Sequence, residues 1–184
     1  MSKVRLCSSS QTRAKLLDSF NIKYIQSPVD FNEDSIKEQN PKSFVYSVVK
    51  GKYQEALKRY DLTLPILVAD TVVTNGVDIL RKAKSKEEAK EILLKQSGKS
   101  ISIITATILR GKDFEFSDIS QTKYIFKEFD KKDLQEYLDS NLWQGKAGAC
   151  MVEGFCKKYI KEVIGLETNA MGLPVEKLLP WIEF

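Results

Sequence analysis

Histidine is absent from the 184-residue chain. That removes Ser-His-Asp and Cys-His nucleophilic catalysis, histidine-ligated zinc and imidazole acid–base chemistry together. No apolar run approaches the ~20 residues needed to span a bilayer, and the N-terminus lacks the apolar stretch of a secretory signal. A soluble, cytoplasmic protein without a membrane partner is expected. Cysteine is scarce: Cys7, Cys150 and Cys156 make an odd count without CxxC spacing. This argues against a disulfide framework or a thiolate zinc site and reads as small core residues. The net charge of +4 comes from scattered lysines, with no polybasic block or aromatic-basic interleave. A small anionic ligand suits such a chain better than a stable nucleic-acid partner. Any catalysis falls to carboxylates, lysines, arginine, hydroxyls or a bound metal.

The apolar share, 42% of residues, is enough for one substantial core, so a single domain over residues 1–184 is expected. A short apolar strand, Val4–Cys7, passes through Ser8, Ser9 and Ser10 into a helix beginning near Gln11. Lys23–Gln26 reads as a second strand, followed by an acidic turn from Asp30 to Asp34. Pro41 suits the first turn of a helix whose apolar positions carry it to Arg59. Leu64–Ala69 is a continuous apolar run, as expected of a strand buried on both faces. Asn75-Gly76 between β-branched runs predicts a hairpin. Further on, a helix is expected from Ser85 to Lys95, with Ser97-Gly98 as its terminator. Two long strands (Ser100–Leu109 and Glu115–Phe126), a helix (Lys131–Leu138), a strand (Tyr159–Ile164) and a closing helix complete the pattern. Strands and helices mixed in this way predict one α/β body.

The segment Val4–Leu17 has the form of an anion-binding turn. A strand running into a helix N-terminus aims unpaired N–H groups at one point, and Ser8, Ser10 and Arg13 add directed donors. Ser10 also suits a simple N-cap. Asp70 follows the apolar run directly, where a carboxylate is costly unless something uses it, and ligands gather at strand ends in α/β sheets. Its plainer reading is a turn aspartate that caps backbone N–H groups. Glu33, near Asp30 and Asp34, would complete a carboxylate pair with Asp70 for Mg²⁺ or Mn²⁺, which take oxygen ligands. Lys52, Lys82 and Lys146 are three among many lysines, most of which serve solubility on any chain. Gly98-Lys99-Ser100 imitates the tail of a P-loop, but Leu93 stands where its first glycine is required, and a helix precedes it in place of a strand.

Taken in order, these segments resemble the Maf family of nucleotide pyrophosphatases. Its opening pattern L-A-S-x-S-P-R-R-x-x-L-L is met by Leu6-Cys7-Ser8-Ser9-Ser10-Gln11-Thr12-Arg13-Ala14-Lys15-Leu16-Leu17. Its D-E element is similar to Asp30–Glu33, its E-K-A helix to Gly51-Lys52-Tyr53, and its A-D-T to Ala69-Asp70-Thr71. L-x-K-P, S-G, K-A-G-A-Y and G-L-P are matched by Leu80-Arg81-Lys82-Ala83, Ser97-Gly98, Lys146-Ala147-Gly148-Ala149-Cys150 and Gly172-Leu173-Pro174. The resemblance implies a Maf/ITPase-like α/β fold: a single elongated domain with a mixed twisted sheet, two lobes and a central cleft. It also implies metal-dependent hydrolysis of a nucleoside triphosphate to monophosphate and pyrophosphate, with removal of non-standard or modified nucleotides as the purpose. Asp70, Lys52 and Lys82 would form the catalytic set, Asp70 acting as base or metal ligand, with Glu33 as its metal partner. Ser8, Ser10, Thr12, Arg13, Thr71, Lys146 and Glu153 would contact substrate, and the family suggests a homodimer.

Three positions bear on the base. Thr12 replaces the first Arg of the pyrimidine-type pattern and Glu153 replaces its Gln, whereas Thr71 departs from the methylguanosine type. A carboxylate at 153 can accept from two adjacent donors of a guanine, which tilts expectation toward a purine. The rival reading is a nucleotide-binding regulator of septum formation and cell division without physiological turnover.

Overall fold

The apolar runs and caps become strands and helices close to where the pattern sets them. In the computed structural model, which describes residues 3–182, β1 (Val4–Leu6) leads into α1 (Gln11–Ser19), and β2 (Tyr24–Gln26) follows. A single 3-10 turn at Glu33–Ser35 and the 19-residue α2 (Pro41–Arg59) precede β3 (Ile66–Thr74). Then come β4 (Ile79–Leu80), α3 (Lys86–Leu94), β5 (Ser100–Arg110) and β6 (Glu115–Phe126). The chain continues through α4 (Lys131–Asp139), a 3-10 turn at Phe155–Tyr159, β7 (Ile160–Ile164), α5 (Glu167–Ala170) and α6 (Val175–Ile182). The class is mixed α/β, as the alternation predicts. No helix among the described residues is long and apolar enough to cross a membrane.

Short polar side chains set the helix starts. The Ser10 hydroxyl accepts from Arg13 N at 3.3 Å, and Asn40 Oδ1 accepts from Lys42 N and Ser43 N, each satisfying N–H groups that the helix cannot. At α3, Ser85 Oγ accepts from Glu88 N while the Glu88 carboxylate accepts from Lys84 N, one residue before the cap.

The sheet has seven strands in the order β2-β1-β3-β5-β6-β7, with β4 on β3. β1 runs parallel to both β2 and β3. The path leaves β1 for β2 on one side, then returns to β3 on the other, so the winding reverses at the β1/β3 pair. In open α/β sheets, ligands bind outside the carboxyl ends of strands at such a reversal.

β3 extends further than the apolar run alone predicts. It continues to Thr74 because Val73 and Thr74 pair antiparallel with Leu80 and Ile79, so Asp70 lies within the strand and not at its end. The hairpin that follows has residues 75–78 as its loop. Asn75 Oδ1 accepts from Val77 N and Asp78 N, and Gly76 takes φ +95°, a conformation that asparagine-glycine turns supply.

Two compact units divide the chain. The first comprises Met1–Thr71, Ile104–Ser120 and Leu166–Phe184; the second comprises Val72–Ile103 and Gln121–Gly165. In the first, Leu6, Leu17, Leu67, Leu109, Leu173 and Leu178 form the centre of a buried cluster. Trp181 closes one side of it against Phe114 and Phe116, with ring centroids 5.8 and 5.6 Å away. In the second, Tyr137 stacks on Phe155 at 4.5 Å and Phe129 meets Phe155 edge-on, beside the buried Cys150 and Cys156. Leu67 has no exposed surface and pairs with Leu6 in the β1/β3 ladder. Leu67→Ala is therefore expected to lower unfolding free energy by about 3 kcal/mol, measured by urea denaturation.

Candidate functional site

The first motif folds into a turn organised around a buried cation. β1 stops at Leu6, although Cys7 N still donates to Leu67 O at 2.8 Å. The chain then turns through the serines into α1, with Ser10 N donating to Ser8 Oγ at 3.2 Å and Gln26 Nε2 holding Ser8 O at 2.8 Å. Arg13, on the first turn of α1, has only 9% of its surface exposed. Three of its nitrogens are committed: Nη1 donates to Ser8 Oγ at 3.0 Å, Nη2 to Thr71 Oγ1 at 3.1 Å, and Nε to Gly172 O at 2.8 Å. Burial pulls the guanidinium below its ordinary pKa, while the charges of Asp70 and Glu33 oppose that shift. A guanidinium stays protonated in proteins, so this is a fixed positive charge held beside two carboxylates.

Those carboxylates meet on one lysine. Lys52 Nζ, on α2, lies 2.7 Å from Glu33 Oε1 and 2.7 Å from Asp70 Oδ1. The Asp70 side chain is 12% exposed and that of Lys52 16%, whereas Glu33 is 47% exposed. Asp70 is thus the inner member and Glu33 the outer one. Although Asp70 lies mid-strand, β1 ends opposite Leu67, so Asp70 stands beyond the carboxyl end of its parallel neighbour. The strand end expected at Asp70 is thus supplied by its neighbour β1, while β3 itself runs on to Thr74.

Gly51 lets Glu33 reach this point. A Cβ on Gly51 would come 2.2 Å from the Phe31 ring, so the residue-31 segment lies against α2 only because the helix has no side chain there. Glu33 follows two residues later. Glycine costs a helix interior roughly 1 kcal/mol relative to alanine, which is the expense of this close approach.

Cys7 lies in the same turn. Burial raises its thiol pKa to about 11, against the opposing charge of Arg5. A thiol in that state is protonated at neutral pH and is no nucleophile.

In the second unit, Lys82 forms an isolated antiparallel bridge with Ala147, and Gly148 N donates to Arg81 O at 3.2 Å. Gln96, wholly buried, donates from Nε2 to Gly148 O at 2.6 Å and to Ile92 O at 3.2 Å. Gly148 adopts φ +64° with Val73 packed 3.1 Å from where a Cβ would stand. Backbone bonds therefore tie residues 81–82 to the Lys146–Gly148 loop, and the buried Gln96 amide ties that loop to α3. Lys146 Nζ lies 3.7 Å from Glu153 Oε1, both being partly exposed.

Of the residues singled out by sequence, the first unit brings together Ser8, Ser10, Arg13 and Thr71 in one hydrogen-bonded set and Glu33, Lys52 and Asp70 in another. Thr12 is half-buried on the first turn of α1. Lys82, Lys146 and Glu153 belong to the second unit. Sequence reasoning passes over the Gly172 carbonyl and Phe31. The G-L-P triplet marks the first without suggesting a role, and nothing in the local pattern marks the second.

Among the described residues no group of three or more histidine, cysteine or acidic side chains could hold a metal ion. Glu33 and Asp70 alone offer oxygens that converge on one point, now taken by the Lys52 ammonium. Two carboxylates suit a hard divalent cation that completes its shell with water and substrate phosphate. The donor set therefore fits Mg²⁺ or Mn²⁺ shared with a ligand, and does not fit a dedicated all-protein cage. Gly51→Ala is expected to displace the Phe31 ring and lengthen the Glu33–Lys52 ion pair, as read from the variant's crystal structure. The melting temperature should fall little, because alanine favours the helix.

The family model of Maf-like protein matches residues 3–183, which takes in both units. A relative from Nitratiruptor sp., named nucleoside triphosphate pyrophosphatase, is 55% identical over 177 residues, covering 95% of this chain and 96% of its own. A relative of the same name from Helicobacter pylori is 40% identical over 174 residues, covering 95% and 92%. One from Campylobacter jejuni, again so named, is 34% identical over 180 residues, covering 96% and 98%.

Proposed function

Because the chain belongs to the Maf-like protein family, we propose that it hydrolyses a nucleoside triphosphate to the monophosphate and pyrophosphate. The observation that carries this reading is the meeting of Asp70, Glu33 and Lys52 beside a buried Arg13. Cleavage between the α- and β-phosphorus needs a positioned water, a group to take its proton, and positive charge over the departing pyrophosphate. Lys52 fixes Asp70 through Oδ1, so the carboxylate has one orientation in which to accept that proton. With three of its five N–H groups taken by Gly172, Ser8 and Thr71, Arg13 keeps one on each Nη for phosphate oxygens, and Lys52 acts as a point charge.

Ser8 and Ser10, at the N-terminus of α1, contribute with backbone N–H groups to an anion cradle. In the second unit, family resemblance supports Lys82 as a catalytic lysine, Lys146 as a substrate contact and Glu153 as a reader of the base. Thr12 and Thr71 are kept as substrate contacts. A divalent cation held by Glu33 and Asp70 would lower the pKa of bound water and spread the phosphate charge. Family resemblance supports, within the same reading, a cytoplasmic setting, a homodimer and the removal of non-standard or modified nucleotides. Glu153 leaves the tilt toward purines in place.

A regulator that binds nucleotide without turnover is not favoured, since it gives Asp70 no task. The two readings separate in one assay. Pyrophosphate is measured from a panel of UTP, dTTP, GTP and 7-methyl-GTP with Mg²⁺ or Mn²⁺. Wild type should release it, and Asp70→Asn should reduce release about a thousand-fold while the circular-dichroism melt is retained. Equal turnover by the Asn variant refutes the assignment of Asp70, and no turnover with any nucleotide by wild type refutes the enzyme.

A further inference from the structure

Thr105 has no role in any scheme so far, yet its hydroxyl is wholly buried on β5. It makes two hydrogen bonds, to Asn169 O at 2.8 Å and with Thr71 Oγ1 at 2.9 Å. A carbonyl oxygen only accepts, so the one proton of Thr105 is committed to Asn169. Thr71 must then be the donor to Thr105. With its proton turned that way, Thr71 Oγ1 has a lone pair for Arg13 Nη2, 3.1 Å away. A guanidinium has no acceptor, so this is the one polarity in which Arg13 can bond Thr71.

The same bonds close on themselves. Arg13 Nε donates to Gly172 O at 2.8 Å, and Gly172 N donates to Asn169 O at 2.9 Å, the carbonyl that also receives Thr105. The result is a ring of five residues from four parts of the first unit, in which fixed donors and acceptors at Arg13, Gly172 and Asn169 set the directions of the two hydroxyls. Chains of this kind polarise one another and are worth more than their isolated members.

We propose that Thr105 is a positioning residue: its hydroxyl orients the proton of Thr71, and Thr71 in turn holds Arg13 where it grips the triphosphate. The inference rests on Arg13 being a phosphate contact, as in the reading above. Valine at 105 keeps the shape and the β-branched preference of a strand but opens the ring at one point. Thr71 then loses the acceptor for its proton, and its lone pair is no longer pinned toward Arg13.

The test is steady-state hydrolysis by five proteins: wild type, Thr105→Val, Thr105→Ser, Arg13→Lys, and Thr105→Val combined with Arg13→Lys. Thr105→Val should raise KM about five-fold, the worth of one ordinary hydrogen bond, and leave kcat within about two-fold. Thr105→Ser, which keeps the hydroxyl, should restore the wild-type KM. Arg13→Lys should raise KM further, and adding Thr105→Val to it should change little, since the bond to be positioned is already lost. If Arg13→Lys raises KM but Thr105→Val does not, the inference about Thr105 fails and Arg13 stands. Should Arg13→Lys leave KM unchanged, Arg13 is no phosphate contact and the inference falls with it. A loss confined to kcat, or one that Thr105→Ser does not repair, marks a merely structural threonine and overturns the proposal. If Thr105→Val does not fold, Thr105→Cys, with a weak donor of similar size, takes its place. Its KM must then lie above that of Thr105→Ser, and equality with it refutes the role.

Discussion

A guanidinium taken out of water sets the terms for everything around it. Arg13 is 9% exposed, and a buried cation is tolerable only if its donors are met and counter-charge is near. Ser8, Thr71 and the Gly172 carbonyl take its protons, and Asp70 and Glu33 supply the charge. These partners come from the turn after β1, from β3, from the α5–α6 connection and from the turn before α2. Holding one arginine therefore fixes the mutual positions of four segments far apart in the chain. Buried ion clusters often contribute little net stability, which fits an arrangement kept for what it binds.

The lysine pair answers the same constraint from the other side. Asp70 sits among apolar neighbours on β3 and would be expensive as a lone anion. Lys52 meets it at 2.7 Å and reaches out to the more exposed Glu33 at the same distance. A gradient of exposure results, inner carboxylate, lysine, outer carboxylate, that leads from the sheet toward solvent. The gradient sets a buried arginine and a nearly buried lysine on the same inner carboxylate's charge. Gly51 and Phe31 make the outer carboxylate part of the set, because a side chain on the helix would push the acidic turn away.

Much of the fold is legible in the chain because its signals are local. Pro41 marks the start of α2, and apolar positions at helical spacing carry it to Arg59, so the observed bounds coincide with the reading. Ser10 and Ser85 cap as their types predict. β3 is longer than its apolar run suggests, since pairing with β4 extends a strand past the point where hydrophobicity alone would stop it. Candidate residues of the first unit were also legible: Ser8 and Arg13 in the first motif and Asp70 on β3 stand out by type and place. What they touch did not, since a spacing of 58 positions between Arg13 and Thr71 carries no local signature. Thr105 is the clearest case, a threonine in a strand where threonine is ordinary, distinguished only by the two oxygens it meets.

By itself the sequence determined which chemistry was available, a histidine-free set of carboxylates, lysines and arginine, and where the helices, most strands and the hydroxyl-rich turn would form. Capping, periodicity and composition are properties of neighbours along the chain, and neighbours are what a sequence displays. Tertiary structure alone decided that Lys52 joins Glu33 to Asp70, that Arg13 closes a ring through Thr71, Thr105, Asn169 and Gly172, and that Asp70 lies inside a strand yet beyond the end of its partner. Those outcomes depend on the order in which strands are laid beside one another. That order is fixed by burying the whole core at once, a sum over distant residues that no short stretch contains.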